Sequence, residues 1–327
     1  MPPLVSFISD FGLADPYAGT VKAVMLGICP GLTVVDVTHD VQPQAVIEAV
    51  FLAQQAWPYF PDGTIHLAVV DPGVGTDRRP IALQTPKGYA VGPDNGVLSA
   101  ALPAFIRPPA GVETERGSLN AFRMRAPAGY EARSIESPDV RLPQIGATFH
   151  GRDVFGPAAA HLAAGYQFEN IGPPCSDLIA IPAIRGIACS GGVQGHIVHI
   201  DRFGNLITSI HGNDLLGPVQ QVEILGRSIP VVRTYGDRPG LVALVGSAGY
   251  LEIAVANGSA LPGPAKPAGA IGPRRDTGRR PISRRPVSRE TGPARPRRPK
   301  GVATTPPSHR EWRCIAERFS SQGPPRR

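Results

Sequence analysis

Seven short polar clusters hold the side chains best suited to chemistry: Ser9-Asp10-Phe11, Asp36 to Asp40, Asp71 to Arg78, Asp94-Asn95, His150 to Asp153, Asp201 to Asn205 and Ser247 to Tyr250. Carboxylates and imidazoles can accept protons, and an arginine can stabilise developing negative charge. Taken singly, each cluster also has a plainer explanation. Asp10 before Phe11-Gly12 can cap a turn, and Asp71-Pro72-Gly73 can be no more than a turn. Arg78-Arg79 can be a solvated pair, His150 a satisfied core histidine, and Asp201 to Asn205 a hairpin turn. Several familiar motifs are missing from the sequence. Without GxGxxG or GxxxxGK[ST], the usual dinucleotide and P-loop sites are excluded, and HExxH and GxSxG are absent too. Cys29, Cys175, Cys189 and Cys314 lie far apart with no CxxC pair, so they read as reduced thiols rather than metal ligands.

The clusters fall at the ends of predicted elements. Residues 4–9 form an apolar run that stops at Asp10, 16–28 suit a helix, 32–39 a second strand, 43–57 a helix and 63–75 a third strand ending at Asp71. This alternation predicts an α/β domain over 1–170 with a largely parallel sheet, and ligands of such sheets sit beyond the carboxyl ends of the strands. Asp10, His39 and Asp71 all fall at such ends. Residues 89–102 suggest a strand, a turn at Asp94-Asn95-Gly96 and a helix start, 106–145 a surface loop, and 147–165 a polar cluster running into an Ala-rich helix. After a linker at 171–189, short alternating runs broken by Gly, Asp and Pro predict a mostly β, barrel-like domain over 190–261.

Longer motifs carry more information than single clusters. VVDPGVGTDRRPIA (69–82), GPDNGVLS (92–99), TFHGRDVFGPAAAHLAAG (148–165), IDRFGNLITSI (200–210) and GSAGYLEIAVANGSA (246–260), with ISDFGLADPYAGTVKAVM (8–25) and VVDVTHDV (34–41), together resemble the S-adenosylmethionine (SAM) hydrolase family, also called SAM hydroxide adenosyltransferase. The resemblance covers about residues 4 to 260, apart from 106–145. It implies hydrolysis of SAM to adenosine and methionine, no cofactor or metal, and a homotrimer with active sites between subunits. It also implies a water-activating triad at Asp71, Arg78 and His150; Arg79 is an adjacent candidate, but the seven-residue step from Asp71 favours Arg78. The same resemblance puts Asp10 at the ribose hydroxyls and Asp201, Phe203 and Asn205 around the methionine and nucleoside. Asn95 is a further expected contact, and Ser247, Tyr250, Glu252 and Ala254 meet the adenine or the methionine end. Core packing is the plainer role for Phe203 and Tyr250.

The superfamily also contains halogenases that attack the same carbon with halide. They call for a longer insertion before Asn95-Gly96 and for Tyr with Ser or Gly in place of His150-Gly151, so hydroxide is the favoured nucleophile here. A catalytically silent sensor of SAM or adenosine is the other alternative.

Charge is uneven. Residues 262–327 hold 17 of the 33 Lys/Arg and 4 of the 26 Asp/Glu, leaving 1–261 with 16 against 22, a net of −6. The Pro/Arg-rich tail is too polar to build a core and reads as a disordered basic extension; nucleic-acid binding would rest on it alone. Family resemblance implies one more strand after Gly258-Ser259-Ala260, where this chain instead runs LPGPAKPAGAIGPRRDTGRRP. With no signal-like N-terminus and no run of 18 apolar residues, a soluble cytoplasmic protein is expected.

Overall fold

Strands and helices follow the hydrophobic runs in chain order: β1 (Leu4–Ser9), α1 (Tyr17–Ile28), β2 (Thr33–Thr38), α2 (Val46–Ala56), β3 (Thr64–Val69), β4 (Pro80–Thr85), β5 (Gly88–Pro93), β6 (Phe122–Met124), β7 (Glu131–Ser134), α3 (Gly156–Ala163), β8 (Leu178–Ala180) and β9 (Ile187–Cys189). The second part adds β10 (Gly192–Ile200), β11 (Leu206–His211), β12 (Gln221–Ile224), β13 (Arg227–Pro230), β14 (Leu241–Val245), β15 (Tyr250–Val255) and β16 (Arg313–Glu317). The structure is a computed structural model and describes residues 2–103, 119–190, 192–215, 219, 221–224, 226–256, 258–260 and the backbone of 313–317.

The first sheet runs β2-β1-β3-β5-β4-β7. β2, β1, β3 and β5 are parallel, while β4 is antiparallel to both β5 and β7. β1 is apolar on both faces because both are covered. Val5 and Phe7 pack with Ala18, Val21 and Met25 of α1 and with Ala158, Ala159 and Leu162 of α3, whereas Ile8 packs with Ala49 and Ala53 of α2. The expected α/β fold with a largely parallel sheet is therefore present, sandwiched between helices.

Three regions differ from the sequence reading. Residues 97–101 form a 3-10 turn rather than an α-helix. The expected loop contains β6 and β7, strands of three and four residues that are too short to show a periodicity; residues 104–118 lie outside the described residues. The expected linker carries β8, paired with β6, and β9, paired with β10.

In the second part the strand order is β13-β12-β16-β10-β11-β15-β14, with antiparallel pairing along the path. A bridge between Val231, just after β13, and Ala243 of β14 brings the two ends together. Within the segment expected to be a structureless tail, β16 pairs with β10 on one side and β12 on the other. The rest of 262–327 lies outside the described residues. Among the described residues, no helix is long and apolar enough to cross a membrane.

Candidate active site

Asp71 stands two residues past the end of β3, where the parallel strands deliver their carboxyl ends. The turn after it closes with Val74 N–H donating to the Asp71 carbonyl at 3.2 Å and carries Gly75 at φ +79. A Cβ on Gly75 would sit 2.9 Å from the Ala147 carbonyl, so glycine lets this turn abut the segment leading to His150. His150 precedes a π-helical turn over Gly151–Phe155, a geometry often found at functional sites. Gly151 is needed as well, since a Cβ there would lie 3.0 Å from Phe11 Cζ and 3.3 Å from Val69 Cγ1.

These turns bring Asp71, Arg78 and His150 together. Arg78 Nε donates to Asp71 Oδ1 at 2.9 Å and to Oδ2 at 3.0 Å, and its second terminal nitrogen pairs with Oδ2. The same nitrogen lies 2.7 Å from His150 Nδ1. The side chains of Asp71 and Arg78 are 7% and 9% exposed, and the Phe155 ring lies 5.0 Å from the guanidinium, so the charges interact in a partly desolvated setting. An arginine has only donors, so Nδ1 must present its lone pair and His150 is the neutral Nε2–H tautomer. Burial, reinforced by Arg78, pushes the His150 pKa below its usual 6.5, against attraction to Asp71 and Asp153.

Arg79 points elsewhere. It pairs with Asp94 and Asp177, and Asp94 also accepts the Ile179 N–H at 2.7 Å. The two neighbouring arginines thus differ in their partners, and Arg78 is the one that reaches both Asp71 and His150. Asn95 holds the backbone: its Nδ2 donates to the Val70 carbonyl at 2.9 Å, and its Oδ1 accepts from Val97 N–H at 3.0 Å. It fixes the strand end from which Asp71 projects.

Asp10 lies close enough to Asp71 to feel its charge, and its pKa is raised by burial first, with repulsion from Asp71 adding to it. Its Oδ2 accepts the Gln44 N–H at 2.8 Å. Phe11, Tyr17 and Phe149 form a mutually tilted or edge-on aromatic group with centroids 5.2 to 6.0 Å apart. Gln44, Tyr17 and Phe149 lie outside the seven polar clusters, and Asp153 stands only at the end of one. Phe149 and Asp153 sit inside the motif that carries His150, but nothing in the sequence marks Gln44.

The second-domain residues form a separate group. Asp201 accepts from the N–H groups of Phe203 and Asn205 and from Asn205 Nδ2, each at 2.9 Å, which builds the turn between β10 and β11 and leaves Phe203 78% exposed. Glu252 accepts from the Tyr235 hydroxyl. Burial and Glu252 push Tyr235 up to about 12, while burial and Asp201 raise Glu252. Ser247 is exposed in the turn before β15. Tyr250 packs edge-on against Phe51 of α2 at 5.1 Å, in the seam between the two parts, and Ala254 is fully buried. Among the described residues, no hydrogen bond, ion pair or ring contact joins this group to Asp71, Arg78 or His150. Nor, among them, do three His, Cys, Asp or Glu side chains gather to hold a metal ion.

Residues 5–172 match the SAM hydroxide adenosyltransferase N-terminal domain, and 195–262 the C-terminal domain of the same family. A (R)-S-adenosyl-L-methionine hydrolase of Thermus thermophilus is 44% identical over 264 residues, covering 78% of this chain and 93% of the relative. One from Salinispora arenicola is 36% identical over 262 residues, with 79% and 92% covered. A fluorinase of an Actinoplanes species is 32% identical over 272 residues, with 77% and 90% covered. Among solved structures, an uncharacterized conserved protein from Thermotoga maritima superposes with a TM-score of 0.65 at 33% identity, covering 78% of this chain and 94% of its own.

Proposed function

The chain belongs to the SAM hydroxide adenosyltransferase family, and from that premise we infer that it hydrolyses S-adenosyl-L-methionine to adenosine and L-methionine. The observation that carries this reading is the Arg78 guanidinium shared between Asp71 and His150. Water attacks the ribose 5′ carbon in line with the C–S bond, the electron pair of that bond stays on sulfur, and methionine leaves as a neutral thioether. The leaving group needs no proton. The proton lost by water must go to a base, and Asp71 is the better placed, because its Oδ1 accepts one N–H from Arg78 and keeps a second lone pair free. His150 Nδ1 is already occupied by Arg78, so the imidazole orients the group instead of taking the proton. From Asp71 the proton passes to solvent. Holding water in line supplies up to roughly 7–11 kcal/mol of the barrier reduction, and Arg78 favours hydroxide-like charge as it forms.

The hydrolase relatives are named for the (R) epimer at the sulfonium, and we assign the same epimer to this chain. We also assign it a homotrimer with each site shared by two subunits. This is supported by the absence, among the described residues, of any hydrogen bond, ion pair or ring contact between the Asp71 group and the Asp201 group, and by the exposure of Phe203 and Leu13, 78% and 69%. Incubating purified protein with each SAM epimer, with and without chloride or fluoride, and separating the products by chromatography tests the reading. Adenosine and methionine that form from the (R) epimer, ignore halide and require Asp71 and His150 are expected. A halogenated nucleoside would make the protein a halogenase, and binding without product would make it a sensor.

A further inference from the structure

Behind Asp10 runs a chain of polar side chains that the reaction leaves unused. Ser9 is fully buried, and its hydroxyl lies 2.7 Å from His39 Nδ1. His39 is 3% exposed; its Nε2 sits 3.1 Å from Asp36 Oδ1, and Asp36 Oδ2 accepts from Lys22 Nζ at 2.8 Å. The Nε2 contact is electrostatic, since it lacks hydrogen-bond alignment.

Serine, histidine and aspartate in a row suggest a nucleophile, yet burial withholds Ser9 from any substrate. Its oxygen instead accepts from Phe11 N–H at 3.4 Å. A lone pair on Nε2 would face the Asp36 carboxylate at 3.1 Å, so the ring proton belongs on Nε2, Nδ1 accepts, and the Ser9 hydroxyl donates to it. The His39 carbonyl also accepts the Gly12 N–H at 2.7 Å. One residue therefore ties down both ends of the turn from Ser9 to Gly12. Asp10 stands on that turn, with its carboxylate steadied from the other side by Gln44 N–H, and Gln44 holds φ +67, which a side-chain-bearing residue rarely adopts.

We propose that His39 is a positioning residue for Asp10: by fixing Ser9, its imidazole aims the Asp10 carboxylate and so sets the selectivity of the site for a ribose bearing its vicinal hydroxyls. The proposal rests on the assignment of Asp10 to those hydroxyls. It is tested by calorimetric binding of adenosine and 2′,3′-dideoxyadenosine to the wild type and to Asp10→Asn, Ser9→Ala, His39→Gln and His39→Asn, with the melting temperature of each. The asparagine amide can reach Ser9 as Nδ1 does, whereas the glutamine amide extends toward the position of Nε2.

The wild type and His39→Asn are expected to prefer adenosine. Asp10→Asn, Ser9→Ala and His39→Gln should lose about tenfold of that preference, the size of one charge-assisted hydrogen bond. If Asp10→Asn loses the preference while Ser9→Ala and His39→Gln keep it, His39 does not position Asp10. A His39→Gln protein that melts early and binds both nucleosides equally worse, with its preference intact, also overturns the proposal, because His39 would then serve the fold alone. No preference in the wild type, or an undiminished one in Asp10→Asn, removes the ribose assignment and this proposal with it; adenosine release from SAM, followed in parallel, reports whether the hydrolase reading survives.

Discussion

Arg78 has to satisfy two partners at once, and only a planar fork of donors does so. Lysine would bring the same charge as a compact point on a flexible stem, able to meet Asp71 or His150 but not to hold both in register. Arg78→Lys should therefore lower kcat by about 10²–10³, the usual cost of one misplaced charge-stabilising donor, with KM changed little. A fall of less than tenfold in adenosine release would show that charge alone suffices. Acid pH probes the same group. Burial and Arg78 hold the His150 pKa below 6.5, so the ring stays neutral there and kcat should not titrate with a midpoint at 6.5 as pH falls. Asp10 behaves oppositely, because burial raises its pKa above 3.8; it protonates earlier on acidification, and KM should rise first. A kcat profile with a midpoint at 6.5, lost in His150→Ala, would contradict the lowered value.

At the scale of elements, what could be read in advance depended on length and period. β1, β2, β3, α1 and α2 are long enough to print their periodicity on the sequence, so the strand ends at Asp10 and Asp71 were legible. The hairpin of β4 and β5 was half seen: Arg78-Arg79 drew attention as charge, while the strand beginning at Pro80 was not recognised behind it. Arg78 and Arg79 differ in role only through partners brought from elsewhere in the chain, Asp71 and His150 against Asp94 and Asp177, and no local pattern encodes that. β16 was the least legible element. Its five residues follow a long Pro/Arg-rich stretch, and their pairing partners lie more than 85 positions back. Deleting 262–327 removes this strand from between β10 and β12 and leaves two unpaired edges. The truncated protein should melt at a lower temperature and lose amide protection in β10 and β12 while keeping it in β1 and β3. Unchanged melting and exchange would mean that the second sheet does not depend on the tail.

The molecule as a whole holds two groups of candidate site residues, around Asp71 and around Asp201, that no hydrogen bond, ion pair or ring contact joins among the described residues. A heterologous contact around a three-fold axis would present the Asp71 group of each subunit to the Asp201 group of its neighbour. Two variants test this without disturbing the fold of either half. Asp71→Asn removes the base while leaving Arg78 an oxygen to pair with, and Phe203→Asp places a charge on a side chain that is already exposed in the single chain, so both should fold, yet each alone should be inactive. If sites are shared, unfolding and refolding an equal mixture gives about a quarter of sites an intact half from each variant, and that share of wild-type activity returns. If each site is built from one chain, every site carries one of the two lesions and the mixture stays as inactive as its parts. Activity near a quarter, found together with a trimeric mass, would place the catalytic unit at the seam between copies, where the exposed Phe203 and Leu13 would be covered.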